Sequence, residues 1–172
     1  LDHIASIIVI LFLFIIFLGY NDKIGIEDDS KTFLIVLSVL MIFLDLSEDL
    51  VRIFTGYYSI TKDLPLQLCS IGVYLAAFNL MYRNQTIFNL IFYWGFVGAT
   101  NAILTPDGDL FELRIFFFYS QGYHAALIFA VLWMMIKYDM RMNYKSILQV
   151  VIYTNIIVGL ITIVNFILDS NY

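Results

Sequence analysis

The sequence contains little charge, a single cysteine and no run of basic residues. Asp, Glu, Lys and Arg make up 13% of its 172 residues, against roughly a quarter in soluble domains. This shortage excludes a water-soluble globule and a disordered chain. One cysteine excludes an intramolecular disulfide and a cysteine-based structural zinc site. The net charge of −5 and the lack of a Lys/Arg block argue against nucleic acid as a partner.

The chain is instead rich in apolar residues, which amount to 62% of the sequence. They fall into six stretches that each approach the roughly 20 residues needed to cross a hydrocarbon core of about 30 Å. Helices are expected, because lipid cannot satisfy an open backbone and the stretches are too long for barrel strands. The sequence predicts one all-α domain over residues 1–172, a polytopic bundle of about six transmembrane helices and hence a multi-pass integral membrane protein. The predicted spans are about Ile4–Tyr20, Thr32–Phe54, Leu66–Tyr82, Thr86–Leu104, Ile115–Tyr138 and Ser146–Leu168.

The distribution of basic residues predicts the orientation of this bundle. Six of the nine Lys and Arg residues lie in or beside the odd-numbered loops, and three lie on the other side. Cytoplasmic loops carry an excess of Lys and Arg, so we expect the odd-numbered loops inside and the N-terminus outside. The first group is Lys23, Lys31, Arg83, Lys137, Arg141 and Lys145, and the second is Arg52, Lys62 and Arg114.

Polar and ionisable side chains collect at one end of the predicted helices. Such residues are costly in a membrane and by default mark a functional site. Because successive helices alternate in direction, all of them fall in one leaflet, and we expect a polar pocket that opens to one face. For Glu48 and Arg52, four residues apart, the alternative is a structural ion pair at a helix end. The candidate site residues are His3, Glu48, Asp49, Arg52, Gln67, Cys69, Asp107, Arg114, Gln121 and His124.

Cys69 and His124 offer the chemistry of a nucleophile and a base. An imidazole can take the proton of a thiol and later return it to a leaving group. Pro65 is expected to start the third helix, which would place Cys69 in the second turn, near the positive end of the helix dipole. Gln121, one turn before His124, is the candidate orienting partner. In the alternative interpretation, Cys69 and His124 are packing residues of an apolar bundle.

Other chemistries find less support in the sequence. It has no G-x-S-x-G, H-E-x-x-H, Walker or G-x-G-x-x-G motif. A metal site from His3, Glu48, Asp49 and His124 has no ligand spacing on a single helix, so no metal or other cofactor is expected. A proton- or ion-coupled transporter that uses the intramembrane carboxylates stays open as an alternative, although no inverted repeat is visible.

A series of short motifs lies within about residues 45–172. The most specific is Asp63-Leu64-Pro65-Leu66-Gln67-Leu68-Cys69-Ser70, and the others are Tyr93-Trp94-Gly95, Thr105-Pro106-Asp107, Arg114–Phe118, His124 and Gly-x-x-x-x-x-Asn with the closing Ser170-Asn171-Tyr172. These motifs resemble those of the YwaF-like bacterial integral membrane proteins, which are related to the eukaryotic transmembrane protein 164 acyltransferase. The resemblance implies movement of a fatty acyl group between glycerophospholipids through an acyl-thioester, with Cys69 and His124 in the two catalytic roles.

The resemblance also implies partners and supporting residues. The partners would be a phospholipid and a lysophospholipid, in the plasma membrane of a bacterium. The residues that would orient His124 or bind the lipid headgroup are Glu48, Asp49, Arg52 and Asp107. The family pattern has His at the position of Gln67, so the role of base falls on His124. Family members continue past Tyr172 into a further apolar segment, and we therefore expect this domain to lack a last helix.

Overall fold

The fold is built from helices throughout the described part of the chain. A computed structural model describes residues 2–24, 30–106 and 113–172, and these ranges contain six main helices and no strand. A π-helical segment, Phe92–Val97, lies within the fourth helix. The helices are α1 (Asp2–Ile24), α2 (Lys31–Thr55), α3 (Leu68–Tyr82), α4 (Gln85–Leu104), α5 (Arg114–Lys137) and α6 (Ile147–Leu168). The prediction of an all-α bundle is confirmed, and the predicted helix bounds differ from the observed ones by about one turn or less.

Among the described residues, three segments are long and apolar enough to cross a membrane, namely Gln85–Leu104, Arg114–Lys137 and Tyr144–Leu168. The apolar helix α3 is shorter, as is the apolar part of α1, Asp2–Phe17. The helix α2 has the length of a span, but three acidic residues and an arginine lie between positions 45 and 52. The chain is therefore a membrane protein with the architecture of a helical bundle.

The helix α5 lies at the centre of the bundle and packs against α1, α2, α3 and α4. Its side chains Leu127, Val131 and Met134 are completely buried. The peripheral helix α6 buries Val150 and Ile161 and exposes most of its other apolar side chains, as expected for a helix that faces lipid. The buried polar residues Gln121 and His124 of α5 are thus surrounded by other helices, whereas α6 contributes a smaller set of buried contacts, among them Val150 and Thr154 against Trp94.

The helices α3 and α4 approach each other closely at two glycines. A Cβ atom on Gly72 would lie 3.6 Å from backbone atoms of Gly95, so the two backbones are almost in direct contact. A Cβ atom on Gly95 would come within 3.0 Å of Leu127 of α5, which is closer than ordinary packing allows. Small residues permit this kind of approach between membrane helices. They set the geometry of the junction between α3, α4 and α5.

One end of the bundle, called the site end below, holds the N-termini of α1, α3 and α5 and the C-termini of α2, α4 and α6. His3 of α1 donates a hydrogen bond from Nε2 to the carbonyl oxygen of Ile103 in α4, at 2.8 Å. Arg114, the first residue of α5, forms an ion pair with Asp2 of α1. These contacts fix the positions of α1, α4 and α5 relative to one another along the long axis of the bundle.

The orientation of the bundle can be tested by labelling introduced cysteines at its two ends. Lys62, between α2 and α3, belongs to the site end, and Asn143, between α5 and α6, belongs to the opposite end. In a Cys69→Ala background, a membrane-impermeant maleimide should label Lys62→Cys on intact cells, because the charge asymmetry places the site end outside. It should label Asn143→Cys only after the membrane is opened. Labelling of both from one side would contradict the bundle, and reversed labelling would contradict only its orientation.

Candidate active site

A cavity of about 960 Å³ lies at the site end. Its walls come from α2, α3, α4 and α5, from the connection between α2 and α3, and from the residues that follow α6. Six of the ten candidate residues line it, namely Glu48, Asp49, Arg52, Gln67, Cys69 and His124. Side chains from three different helices, well separated in the sequence, therefore share one cavity with the thiol.

Cys69 lies in the first turn of α3 and not in the second. The helix begins one residue before it, with Gln67 as an extended N-cap. Pro65 belongs to the turn that precedes the helix, where the Leu66 N–H donates a hydrogen bond to the carbonyl oxygen of Leu64 at 2.7 Å. The expectation that Pro65 starts α3 is therefore wrong, because this tight turn occupies the positions that would have formed the first helical turn.

The Cys69 side chain is partly buried against α4. Its Sγ donates a hydrogen bond to the backbone carbonyl oxygen of Trp94, at 3.6 Å. A thiol is a weak donor, so this contact orients the side chain more than it stabilises the fold. Cys69 is also one of the residues that line the cavity.

His124 is 5% exposed and lies near the middle of α5, in the half that is closer to the site end. Its Nδ1 is 2.8 Å from the backbone carbonyl oxygen of Ser120, one turn earlier in the same helix. A carbonyl oxygen can only accept a hydrogen bond, so Nδ1 carries the proton. In the neutral imidazole, Nε2 is then the basic nitrogen. The helix itself therefore sets the tautomer of His124.

Gln121 does not have the orienting role predicted for it. The contact to His124 comes from Ser120 instead, and the Gln121 Oε1 accepts a hydrogen bond from the hydroxyl of Ser6 in α1, at 3.4 Å. One residue along a helix turns the side chain by about 100°, which directs Gln121 towards α1. Ser120 lies about one helical turn before His124, which places its carbonyl oxygen beside the imidazole.

Arg52 is held in a buried network at the end of α2. The side chain is 9% exposed, and its Nη2 lies 3.1 Å from the Oε1 atom of Glu48. Its Nε lies 3.7 Å from the Oδ1 atom of Asp63, which follows the helix, and the guanidinium lies 4.1 Å from the centroid of the Phe116 ring of α5. The ion pair between Glu48 and Arg52 is therefore present, and both of its members also line the cavity.

Asp45 is a lining residue that the predicted site omitted. It is 7% exposed, and its Oδ2 has no hydrogen-bond partner among the described residues. A buried polar atom without a partner is costly, so this oxygen is an unfavourable feature that the surrounding fold has to offset. The signal in the sequence was its spacing, since Asp45 precedes Asp49 by four residues and so falls on the same stripe of α2.

The residues that follow α6 close one side of the cavity. The Asn165 side chain forms two hydrogen bonds with the backbone of Tyr172. Its Nδ2 donates to the carbonyl oxygen at 3.1 Å, and its Oδ1 accepts from the N–H at 2.9 Å. The Tyr172 hydroxyl donates to the carbonyl oxygen of Ile60 and accepts from the N–H of Leu64. Loss of solvent raises the pKa of Tyr172 above its ordinary value, so the hydroxyl stays protonated and keeps its donor role. Residues 169–171 are thereby held as a wall of the cavity.

Three further candidates lie elsewhere or cannot be placed. His3 and Arg114 do not line the cavity; they tie α1 to α4 and to α5 at the site end. Asp107 lies outside the described residues. Within the described ranges, no group of three or more His, Cys, Asp and Glu side chains is arranged to hold a metal ion. The lining residues outside the predicted site include Asp63, Ser70, Ser120, Tyr123 and residues 169–171. Of these, Asp63, Ser70 and residues 170 and 171 belong to the motifs that carry the family resemblance.

The fold and the cavity define a class of protein: a helical membrane protein with a polar cavity at one end, lined by a thiol, an imidazole and several carboxylates. The chain belongs to the TMEM164 family, whose family model matches residues 1–172. The family relation predicted from motifs in residues 45–172 is confirmed and extends to the first helix. Searches of curated proteins and of solved structures gave no match.

The buried network around Arg52 predicts a large effect on stability. Arg52→Ala should lower the free energy of unfolding by about 3 kcal/mol, because it leaves buried carboxylates without their counter-charge. Titration with a denaturing detergent measures this change. Arg114→Ala is the matched control: the Arg114–Asp2 pair is mostly exposed, and such pairs contribute about 1 kcal/mol or less. Equal losses in the two variants would contradict the network.

Proposed function

We propose that the cavity is an acyl-transfer site in which Cys69 is the nucleophile and His124 is the general base and acid. The observation that carries this proposal is that the two side chains, from α3 and α5, line the same cavity. Membership in the TMEM164 family supports it, because the motifs that resemble the acyltransferase member include both residues. The imidazole tautomer supports it as well, since Nε2 is available as a base.

The first half of the proposed reaction forms an acyl-enzyme. His124 takes the thiol proton on Nε2, and the Cys69 sulfur attacks the carbonyl carbon of a phospholipid ester. A carbon–sulfur bond forms, and the bond between that carbon and the glycerol oxygen breaks. The proton on His124 passes to the glycerol oxygen, which leaves as the hydroxyl of a lysophospholipid.

The second half transfers the acyl group to another lysophospholipid. Its hydroxyl gives a proton to His124 and attacks the carbonyl carbon of the thioester. The new ester bond forms, the carbon–sulfur bond breaks, and the proton returns from His124 to the sulfur of Cys69. An ester is exchanged for an ester, so the cycle needs no oxidant, reductant or activated donor.

The position of the cavity suits a lipid substrate. It lies at the end of the membrane helices, where the ester bonds of a phospholipid meet the aqueous boundary. Lys62 and Gln67 are exposed at this end, and Glu48, Asp49 and Arg52 provide charged contacts for a headgroup. We also propose that the protein is a multi-pass protein and that it lies in the plasma membrane of a bacterium.

A proton- or ion-coupled transporter is the alternative function, because Asp45, Glu48 and Asp49 line the cavity. Transport requires a route that opens in turn to both faces of the membrane. The described lining residues come from the site-end half of the bundle and its connecting segments. This one-sided placement favours the enzyme.

Substitution of Cys69 tests the proposed nucleophile. With a labelled phospholipid donor and a lysophospholipid acceptor, Cys69→Ala should abolish acyl transfer. Cys69→Ser should retain little activity, because a hydroxyl is far less ionised than a thiol at neutral pH. Intact-protein mass spectrometry should detect an acyl adduct on the wild type and none on Cys69→Ala. Thermal unfolding of the variants shows whether they remain folded.

The two histidines provide a matched pair of controls. His124→Ala should reduce transfer by about 100-fold or more, as expected for loss of a general base. His3→Ala should retain transfer, since His3 lies outside the cavity lining. Acylation of the Cys69→Ala protein would refute the proposed nucleophile. A transporter would give the reverse pattern: Glu48→Gln or Asp49→Asn would stop ion-coupled uptake, and Cys69→Ala would have little effect.

A further inference from the structure

The backbone of α4 changes its hydrogen-bonding pattern beside Cys69. Over Phe92–Val97 the helix is π-helical, so each turn there holds more residues than an α-helical turn. Such segments are rare, occur mostly as single turns and are frequent at functional sites. In α4 the segment contains Trp94 and Gly95 and ends next to Gly98.

Two residues of α4 define the position of the Cys69 sulfur: Trp94, within the π-helical segment, and Gly98, which follows it. The carbonyl oxygen of Trp94 accepts the thiol hydrogen bond at 3.6 Å. A Cβ atom built on Gly98 would lie 3.1 Å from Sγ, which is tighter than ordinary contacts of a Cβ atom. A side chain at position 98 would therefore press on the sulfur in its present position, and the hydrogen of the thiol points to a fixed acceptor.

Trp94 is itself held in place from the opposite side. Its ring is 5% exposed, and its Nε1 donates a hydrogen bond to the Thr154 hydroxyl of α6 at 2.9 Å. The ring packs with Leu90 and Val150 in a small buried cluster. The acceptor for the thiol is thus fixed by contacts that do not involve the cavity.

We propose that Trp94 and Gly98 are positioning residues for the Cys69 thiol: the π-helical segment of α4 supplies the carbonyl that orients it, and Gly98 supplies the space that its sulfur fills. This inference rests on the proposed acyl transfer for its functional consequence and on contacts alone for its geometry. Neither residue takes part in bond making. Both act through the sulfur.

A methyl group at position 98 should displace the sulfur. The neighbouring atom must give way by a few tenths of an ångström when a Cβ comes this close, and the thiol is that neighbour. Misplacement of a reacting group by about 1 Å can cost about 100-fold in rate. We therefore expect Gly98→Ala to lower kcat for acyl transfer by about tenfold and to leave KM unchanged, because the lipid-binding walls stay in place.

The S–H stretching band in the infrared spectrum gives a direct readout of the thiol. The chain has one cysteine, so the purified protein in lipid shows one such band, and a hydrogen bond to a carbonyl lowers its frequency. Gly98→Ala should shift the band towards that of a free thiol. Gly159→Ala is the matched control: it also lies within a helix, its Cβ would meet no atom within 4 Å, and the band and kcat should both stay unchanged.

The possible outcomes separate this inference from the proposed function. A wild-type band at the free-thiol frequency would overturn the positioning role, even if Gly98→Ala failed to fold. So would an unchanged band and kcat in a folded Gly98→Ala protein. A shifted band in a protein that shows no acyl transfer would support the positioning geometry and overturn the enzyme.

Discussion

The close approach of α3 and α4 at Gly72 and Gly95 is the contact on which the cavity geometry depends. Cys69 lies almost one turn before Gly72, and Trp94 immediately precedes Gly95, so the same approach brings the thiol to its acceptor. Leu127 packs against Gly95 and lies one turn after His124 on α5. A side chain at either glycine would separate the backbones and would move the thiol, its acceptor and the imidazole relative to one another.

The free-energy cost of placing a charge in a membrane explains how the charged side chains of the site are paired. Arg52 is surrounded by two carboxylates and an aromatic ring, so its charge is balanced within the bundle. Asp45 is different, because one of its oxygens has no partner in the described part of the chain. Removal of Arg52 would leave buried carboxylates without a counter-charge, whereas the Asp45 oxygen is buried without a partner within the described ranges, which is uncommon for a polar atom in a protein interior.

The helices could be predicted from the sequence because long apolar stretches leave the backbone no other way to satisfy its hydrogen bonds in lipid. Alternation of helix direction also predicted that Cys69, His124 and Glu48 lie at one end. The sequence did not reveal the partner of His124, since a backbone carbonyl carries no residue type. It also did not reveal the π-helical segment, which depends on packing between helices. Pro65 was misplaced because proline suits both the first turn of a helix and the turn before it.

The hydrogen bond that sets the tautomer of His124 has a consequence for how the site responds to mutation. Its acceptor is a main-chain atom of the same helix, so a substitution at position 120 changes the side chain and leaves the acceptor in place. In enzymes that hold the histidine tautomer with an acidic side chain, one substitution of that acidic residue removes the group that holds it. Among the described residues, the acceptor at 2.8 Å from Nδ1 is this main-chain oxygen, so holding the tautomer does not itself require a further ionised carboxyl group within the membrane.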